Sequence, residues 1–366
     1  MKWYSRVRPS DEGAGFLREY HRYTFRRIGF ITVSLVILFV LLGLSISIGE
    51  RDIGFFDAYG IFFDHLLGNA TYEYHSDLWW DDSIIWNTRL PRAVLAIVAG
   101  MGLAVCGATM QSIMKNPLAD SYTTGISSAA SLGAILAIVL GLSISSSVGQ
   151  YGIVLNAFVF GMIPAVVIMA ISRLGNTSPA TLILAGTAIS YFFSSLSTLI
   201  LTTSSEEDLA SAYTWQVSSL SGTIWTDIPL VLMIVIAGTI VLQLSANKLN
   251  LLTLGDESAK SLGLNASGFR MVCLCLISLI AATIISFTGI IGFLGLVVPH
   301  IARLIIGSDN RFVIPASMVL GALMLLAADL VGKSISVDEI PVGVVMSFVG
   351  APIFLYLILR QKREVW

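Results

Sequence analysis

"SYTTGISSAASLGAILAIVLGLSISSSVGQYGIVLNAFVFGMIPAVVIMAIS" occupies residues 121–172, and none of its 52 residues is charged. A membrane-spanning helix needs about 20 mostly apolar residues, so this stretch has room for two spans, joined near SISSSVGQYG. The whole chain of 366 residues is 55% hydrophobic and 12% charged. Soluble domains carry about 25% charged residues. The sequence therefore predicts an all-α protein that crosses the membrane several times.

Six further apolar stretches are long enough to span, at residues 28–48, 93–114, about 180–202, 229–246, 312–332 and 341–359. Residues 270–306 are harder to assign, because they are too long for one ordinary span and short for two. Glycines at 289, 292 and 295 and a proline at 299 suggest a tight hairpin or a re-entrant piece buried by protein. Splitting this segment gives ten spans, and leaving it whole gives nine.

Positive charge decides between nine and ten spans, because cytoplasmic segments of membrane proteins are rich in Lys and Arg. The first 27 residues contain seven basic residues, and the C-terminal RQKRE is basic too. Both termini are therefore expected in the cytoplasm, which requires an even number of spans. We predict a basic arm (1–27), a ten-helix transmembrane domain (28–360) and a cytoplasmic tail (361–366). An acidic external loop (49–90) and a cytoplasmic loop (247–269) follow from this arrangement.

The cytoplasmic loop contains LLTLGDESAKSLGL (251–264), which predicts two short helices with a bend between them. Gly255 permits the bend, and Asp256 is suited to cap the second helix. Glu257 adds favourable charge in its first turn, and Gly263 is a natural stop. The alternative is an amphipathic helix that lies on the membrane surface.

Groups that could perform chemistry are sparse in the spans. His300 and Arg303 lie near one end of a span and Asp329 near one end of another, and packing or hydrogen bonding is the favoured role for His300. An enzyme would need clustered acid, base or metal ligands, and an ion-coupled secondary transporter usually keeps carboxylates at mid-membrane. Both classes are disfavoured, and no catalytic residue, cofactor or nucleic-acid partner is expected.

Three other patterns carry little functional weight. The external His65, His75, Asp64, Glu73 and Asp77 match no metal-site template, so a solvated acidic loop is favoured over a metal site. The GKS at 332–334 lacks the first glycine of a phosphate loop, since position 327 is alanine. The cysteines are interpreted as small core residues, namely Cys106, Cys273 and Cys275.

Four motifs resemble the iron–siderophore, haem and vitamin B12 permeases of ABC importers, the FecCD/BtuC-like family. They are RLPRAVLAIVAGMGLAVCGATMQSIMKNPLADSYTTGISSAASLGA (89–134), LNLLTLGDESAKSLGL (249–264), GIIGFLGLVVPHIARLIIG (289–307) and EIPVGVVMSFVGAPIFLYLIL (339–359). The resemblance runs in order from about residue 28 to 360. Only the first external loop, around 60–86, and the basic arm look unusual for the family.

The resemblance implies a type II importer permease with ten helices in the cell membrane. It pairs with a second copy, two cytoplasmic ABC ATPase subunits bind beneath, and an extracytoplasmic binding protein delivers the substrate. The loop between spans six and seven would couple to the ATPase, with Ala259 and Leu262 on its apolar face. The implied coupling residues are Leu254, Gly255, Asp256, Glu257, Ala259, Lys260, Leu262 and Gly263.

The resemblance also implies two further sets of residues. Arg89, Arg92 and Lys333 would pair with acidic groups of the binding protein, although Lys333 replaces the family's usual arginine with a point charge. Span five would line the pathway with Thr187, Ser190, Tyr191, Ser194 and Ser195. A mildly polar, uncharged wall suits a bulky chelate better than a bare ion, which needs strong ligands.

The substrate and the pairing stay open at this level. A ferric siderophore-type complex is favoured on frequency among relatives, with cobalamin, haem and oxyanions such as molybdate as alternatives. A homodimer is expected, and a heterodimer with a related permease is the alternative.

Overall fold

The protein is a bundle of α-helices in the computed structural model, which describes residues 11–144, 151–174, 178–335 and 339–360. These ranges contain helices and turns but no β-strand. The helices are α1 (Asp11–Ser47), α2 (Phe55–Leu67), α3 (Asp77–Ile84), α4 (Leu90–Met114), α5 (Ile126–Val139), α6 (Tyr151–Leu174), α7 (Pro179–Leu201), α8 (Glu206–Gln216), α9 (Ile228–Leu244), α10 (Ala246–Thr253), α11 (Asp256–Ser261), α12 (Ala266–Thr288), α13 (Leu294–Ile306), α14 (Asn310–Ile335) and α15 (Val342–Arg360).

Each predicted span coincides with one helix, namely α1, α4, α5, α6, α7, α9, α12, α13, α14 and α15. Among the described residues, six helical segments are long and apolar enough to cross a membrane, and the pair α9–α10, bent by 57°, makes a seventh. The remaining three, α5, α13 and α15, are apolar but shorter. The prediction of several membrane-spanning helices is confirmed, while the crossing of all ten and their orientation stay predictions.

The difficult segment 270–306 is divided into two helices. Helix α12 ends at Thr288, where Gly289 has a φ of +73°, and α13 begins after Phe293, which has a φ of +65°. Both angles lie in the left-handed region, which breaks an α-helix and favours glycine. The split that gave ten apolar segments is thus a real break in the helix.

Helix α4 forms the centre of the bundle and packs against α9, α12, α13 and α14. Small residues make this possible, because Gly100 on α4 lies against the backbone of Gly321 on α14. A Cβ atom at either position would collide with the carbonyl oxygen of the other residue. Such close contact between backbones is a common basis of helix packing in lipid.

The segment 49–90, which we expected to be an acidic loop, is largely helical. It forms α2 and α3, and a π-helical turn (Ile85–Arg89) joins α3 to α4. Helix α3 begins at Ser76, whose hydroxyl accepts a hydrogen bond from the backbone N–H of Trp79. This N-cap satisfies one of the free N–H groups at the start of a helix. The helices of this segment were not predicted, because its acidic composition suggested a solvated loop.

Candidate functional site

The segment 247–269, called the coupling loop after its predicted role, contains the two short helices that the sequence predicted. Helices α10 and α11 are separated at Leu254 and Gly255, and Gly255 has a φ of +117°. Gly263, with a φ of +84°, follows the end of α11. Both glycines occupy conformations that other residues rarely adopt, so their predicted roles as bend and stop are confirmed.

Asp256 does not have its predicted capping role, because the N-cap position of α11 belongs to Gly255. Its carboxylate instead accepts hydrogen bonds from Lys115 Nζ at 2.8 Å and Arg270 Nη2 at 2.9 Å. We call these three residues the charge latch. Because Lys115 follows α4 and Arg270 lies on α12, the latch holds α11 against two long helices.

The charge latch depends on a buried cation. The Arg270 side chain is fully buried, and its Nε donates to the Ile113 carbonyl at 3.0 Å. Burial tends to raise the pKa of the Asp256 carboxyl, but the hydrogen bonds from Lys115 and Arg270 outweigh burial and lower that pKa. Asp256 is therefore ionised at neutral pH and balances the charge of Arg270.

A second polar group, the amide cluster, holds α10. The Asn250 side chain accepts from the backbone and side-chain nitrogens of Asn310, each at 2.9 Å, and donates to Asp309 at 2.8 Å. Asn310 in turn accepts from Ser112 Oγ of α4 at 2.9 Å. Arg303 Nη2 donates to the same Ser112 hydroxyl at 3.2 Å. This cluster could not be predicted from the sequence, because Asn250 and Asn310 lie 60 residues apart.

Exposure separates the coupling residues into two groups. Leu254 and Leu262 are 64% and 61% exposed, and Glu257 and Lys260 are also exposed. Ala259, which we expected on the apolar face that meets the ATPase, is completely buried within the chain. That expectation is wrong, because in this short helix the small side chain packs into the core and the leucines project outward.

Arg89, Arg92 and Lys333 line a single cavity of about 660 Å³ near the other end of α4, together with Arg51, Glu50 and Glu339. We call it the cation cavity. The sequence had placed Arg89 and Arg92 at the start of one span and Lys333 at the end of another. The structure therefore brings the three predicted docking residues together.

Each of these cations already has partners inside the chain. Arg89 is only 8% exposed, and its guanidinium donates to the backbone carbonyls of Ile46, Ser47 and Arg51 at 3.0, 2.5 and 2.6 Å. Arginine suits this arrangement because several N–H donors lie in one plane. The side chain thus ties the end of α1 to the start of α4.

Arg92 forms ion pairs with two carboxylates, at 2.9 Å to Asp329 and 2.7 Å to Glu339. Burial opposes ionisation of Glu339, but its hydrogen bond from Arg92 prevails and lowers the Glu339 pKa. Lys333 Nζ donates to the carbonyl oxygen and hydroxyl of Ser45. The sequence had identified the cations but not these partners, which come from α1, α14 and the segment before α15.

The predicted pathway residues form a hydroxyl stripe on α7. Thr187, Tyr191, Ser194 and Ser195 are exposed, and Ser190 is half-buried. Tyr191 lies near the middle of the helix and is 73% exposed. Thr187 and Ser190 donate back to carbonyls of their own helix at 2.9 Å. The stripe is thus polar yet uncharged, as the sequence predicted.

The histidines that were considered for chemistry lie in different surroundings. His65 Nε2 lies 2.5 Å from Asp82, and its ring stacks on Trp86. Asp64 accepts from the hydroxyl of Tyr72 at 2.9 Å. His300 is buried, and the charge of Arg303 acts on it. Among the described residues, no group of three or more His, Cys, Asp or Glu side chains could hold a metal ion.

The described residues form a bundle of apolar helices, several of them long enough to cross a membrane, with the loop 247–269 and the cation cavity at opposite ends of α4, which indicates a multi-pass membrane protein. Residues 36–360 match the model of the FecCD transport family, and the chain belongs to that family. It is the membrane permease subunit of an ABC importer.

Individual relatives agree with this assignment. The hemin transport system permease protein HmuU of Yersinia pestis is 35% identical, over 92% of this chain and 96% of the relative. The cobalamin import system permease protein BtuC of Halobacterium salinarum is 37% identical, over 77% of this chain and 74% of the relative. A solved structure described as an inward-facing conformation of a metal-chelate type ABC transporter superposes with a TM-score of 0.79 at 27% identity, over 90% of this chain and 99% of that one.

Proposed function

We propose that two copies of this chain pair along the hydroxyl stripe of α7 and carry a ferric siderophore-type complex between them. The observation that carries this proposal is the exposure of Tyr191 near the middle of a spanning helix. A hydroxyl group facing hydrocarbon would lack hydrogen-bond partners, which costs several kcal/mol. Water in a pathway or a second protein surface removes that cost.

The chemistry of the stripe supports a large, already coordinated substrate. Its hydroxyls are weak ligands, and the two that donate to their own helix are partly occupied. A bare metal ion would have to lose its hydration shell to groups that replace water poorly. A chelate keeps its metal ligands and needs only a wall that does not hold it tightly.

Crosslinking tests the pairing. Tyr191→Cys, in a background where the three native cysteines are replaced by serine, should form a crosslink between two copies that blocks uptake. Val166→Cys on α6 is the matched control, because Val166 is also exposed, at 57%, but on an apolar helix surface. Crosslinking at Val166 with none at Tyr191 would contradict the pairing surface.

Uptake measurements test the substrate. Cells that lack the gene should lose uptake of a radiolabelled ferric siderophore while uptake of cobalamin and of haem is unchanged. Loss of either alternative, with siderophore uptake intact, would replace the proposed substrate without affecting the permease assignment.

We further propose that Leu254 and Leu262 insert into the ATPase subunit and that the cation cavity faces the binding protein. The two exposed leucines flank helix α11, whose Asp256 is held by the charge latch. An exposed apolar pair on a rigid polar base is a common form of protein contact surface. The lining of the cation cavity has four basic and two acidic side chains, so an acidic partner would meet a net positive lining.

A further inference from the structure

We propose that α2 is an interfacial helix embedded in the lipid leaflet at the end of α1, with its apolar stripe in contact with phospholipid acyl chains. The stripe consists of Phe56, Gly60, Phe63 and Leu67, which recur every three or four residues and so share one helix face. All four are exposed, and Phe56 and Leu67 are 85% and 70% exposed. This inference does not depend on the proposed substrate or partners.

The contact between α2 and α1 fixes the depth of α2. Tyr59 stacks its ring on Phe39, with ring centroids 4.7 Å apart, and donates its hydroxyl to the Phe39 carbonyl. Phe55 and Tyr59 also fill the space beside Gly43, where a Cβ atom would collide with both rings. Helix α2 is therefore packed against the side of α1 and not above its end.

That part of α1 lies within the hydrocarbon. Phe39 precedes Ser47, the last residue of α1, by eight positions, which is about 12 Å along a helix. The last basic residue before the apolar segment is Arg27, and about 20 residues beyond it cross the hydrocarbon core. The hydrocarbon thus extends close to Ser47, and Phe39 and Gly43 lie inside it.

The exposed surface of α2 continues the lipid-facing surface of α1. Next to the contact, Val36, Phe39 and Val40 of α1 are 59%, 50% and 45% exposed. Helix α1 packs on α4 and α14, whereas α7 packs on α5 and α6. The surface shared by α1 and α2 is therefore separate from the hydroxyl stripe, where we place the second copy.

Polar groups mark the upper limit of the embedded part. Asp64 at the flank of the stripe accepts from Tyr72 at 2.9 Å, and His65 on the opposite side of α2 lies 2.5 Å from Asp82. A helix that exposes an apolar stripe and carries polar groups such as Asp57, Asp64 and His65 beside and behind it is suited to lie at the boundary of headgroups and acyl chains. Trp79 and Trp80 nearby match the aromatic belt of that boundary.

Spin-label accessibility in phosphatidylcholine nanodiscs tests this inference. Nitroxides are placed at Phe63→Cys and Leu67→Cys, with Val36→Cys on α1 as the lipid reference and Glu73→Cys as the water reference. Embedded labels should collide with oxygen as Val36 does, and their collision with a water-soluble nickel chelate should be about tenfold lower than that of Glu73.

Two results would overturn the proposal. Nickel accessibility like that of Glu73 would show that the stripe faces water. Low accessibility to both oxygen and nickel would show that protein, such as a second copy, covers it. If Phe63→Cys fails to fold, Leu67→Cys decides the question alone, because its side chain is 70% exposed and packs little against the chain.

Discussion

At the coupling loop, two leucines are exposed while Asp256 is held by ion pairs within the chain, whereas at the cation cavity the charged side chains themselves line the opening. The two regions are at opposite ends of α4, since Lys115 follows its last residue and Arg89 precedes its first. The ion pairs of Asp256 stabilise the coupling loop itself, and the exposed surface of the loop includes the apolar side chains of Leu254 and Leu262. In the cation cavity, the basic side chains are already paired with carbonyls and carboxylates of the same chain. A partner would therefore interact with them mainly through long-range electrostatic attraction.

The two regions should contribute differently to the binding of partner proteins. Burial of exposed leucines by a partner removes apolar surface from water and can contribute a few kcal/mol per pair of side chains. Cations that already have partners contribute mostly to the rate of encounter. The coupling loop should therefore control assembly, and the cation cavity should control association rate.

Reversing the charge of Arg89 should have the largest effect on stability, because this residue holds the end of α1 to the start of α4. Arg89→Glu places a carboxylate against three carbonyl oxygens in a buried site, at a cost of about 3–5 kcal/mol. We expect loss of folded protein, measured as yield and thermal melting after purification. Arg89→Lys should recover part of the loss, and a stable Arg89→Glu protein would show that the cation is free for docking.

A charge at Leu262 should have the next largest effect. Leu262→Asp keeps the fold, because the side chain is 61% exposed, but it should weaken ATPase binding by about 10-fold to 100-fold if a buried leucine contact is lost. Co-purification of the ATPase subunit measures this. Ser261→Asp is the control, since it adds the same charge at an adjacent exposed polar residue; equal loss in both variants would assign the effect to charge and not to the leucine.

Neutralising Asp256 should have an intermediate effect. Asp256→Asn leaves the buried Arg270 without its anion and should destabilise the protein by about 1–3 kcal/mol, less than for a fully buried pair because Asp256 is 43% exposed. Assembly with the ATPase should persist, while hydrolysis and transport become less tightly coupled. Melting temperature and the ratio of ATP hydrolysed to substrate imported measure the two effects.

The pH dependence of the charge latch has a defined sign. Because the folded-state pKa of Asp256 is lowered, its stabilisation is fully present above the unfolded pKa of about 3.9 and declines as the pH falls below that value. The difference in melting temperature between the wild type and Asp256→Asn should thus be constant near neutrality and shrink below about pH 4. A difference that also shrinks above pH 6 would point to another titrating group.

The sequence predicted the helices well because lipid imposes a simple rule on length and polarity. It predicted the bend at Gly255 and the stop at Gly263 for a similar reason, since both depend on the conformation of one residue. The partners of Asp256, Asn250 and Arg89 could not be predicted, because they lie on other helices and depend on how those helices pack. The prediction that Ala259 faces the ATPase was wrong for the same reason, since the sequence of a six-residue helix does not show which of its faces is buried.

Removing the charge of Lys333 should have the smallest effect and provides the sharpest test of the cation cavity. Lys333→Gln retains a donor for the Ser45 carbonyl that Lys333 contacts, so folding and ATPase binding should be unchanged. One exposed ion pair is worth about 0–1 kcal/mol, and a symmetric pair of permeases would present the charge twice. We therefore expect association of the binding protein to slow by about twofold to threefold at low salt, with a shallower salt dependence. Surface binding across a salt series measures both quantities.

Arg311→Gln is the matched control. This substitution removes one positive charge far from the cation cavity, because Arg311 pairs with Asp309 near the coupling loop. If the rate and salt slope are the same in both variants, the cavity serves the fold alone and the binding protein docks elsewhere.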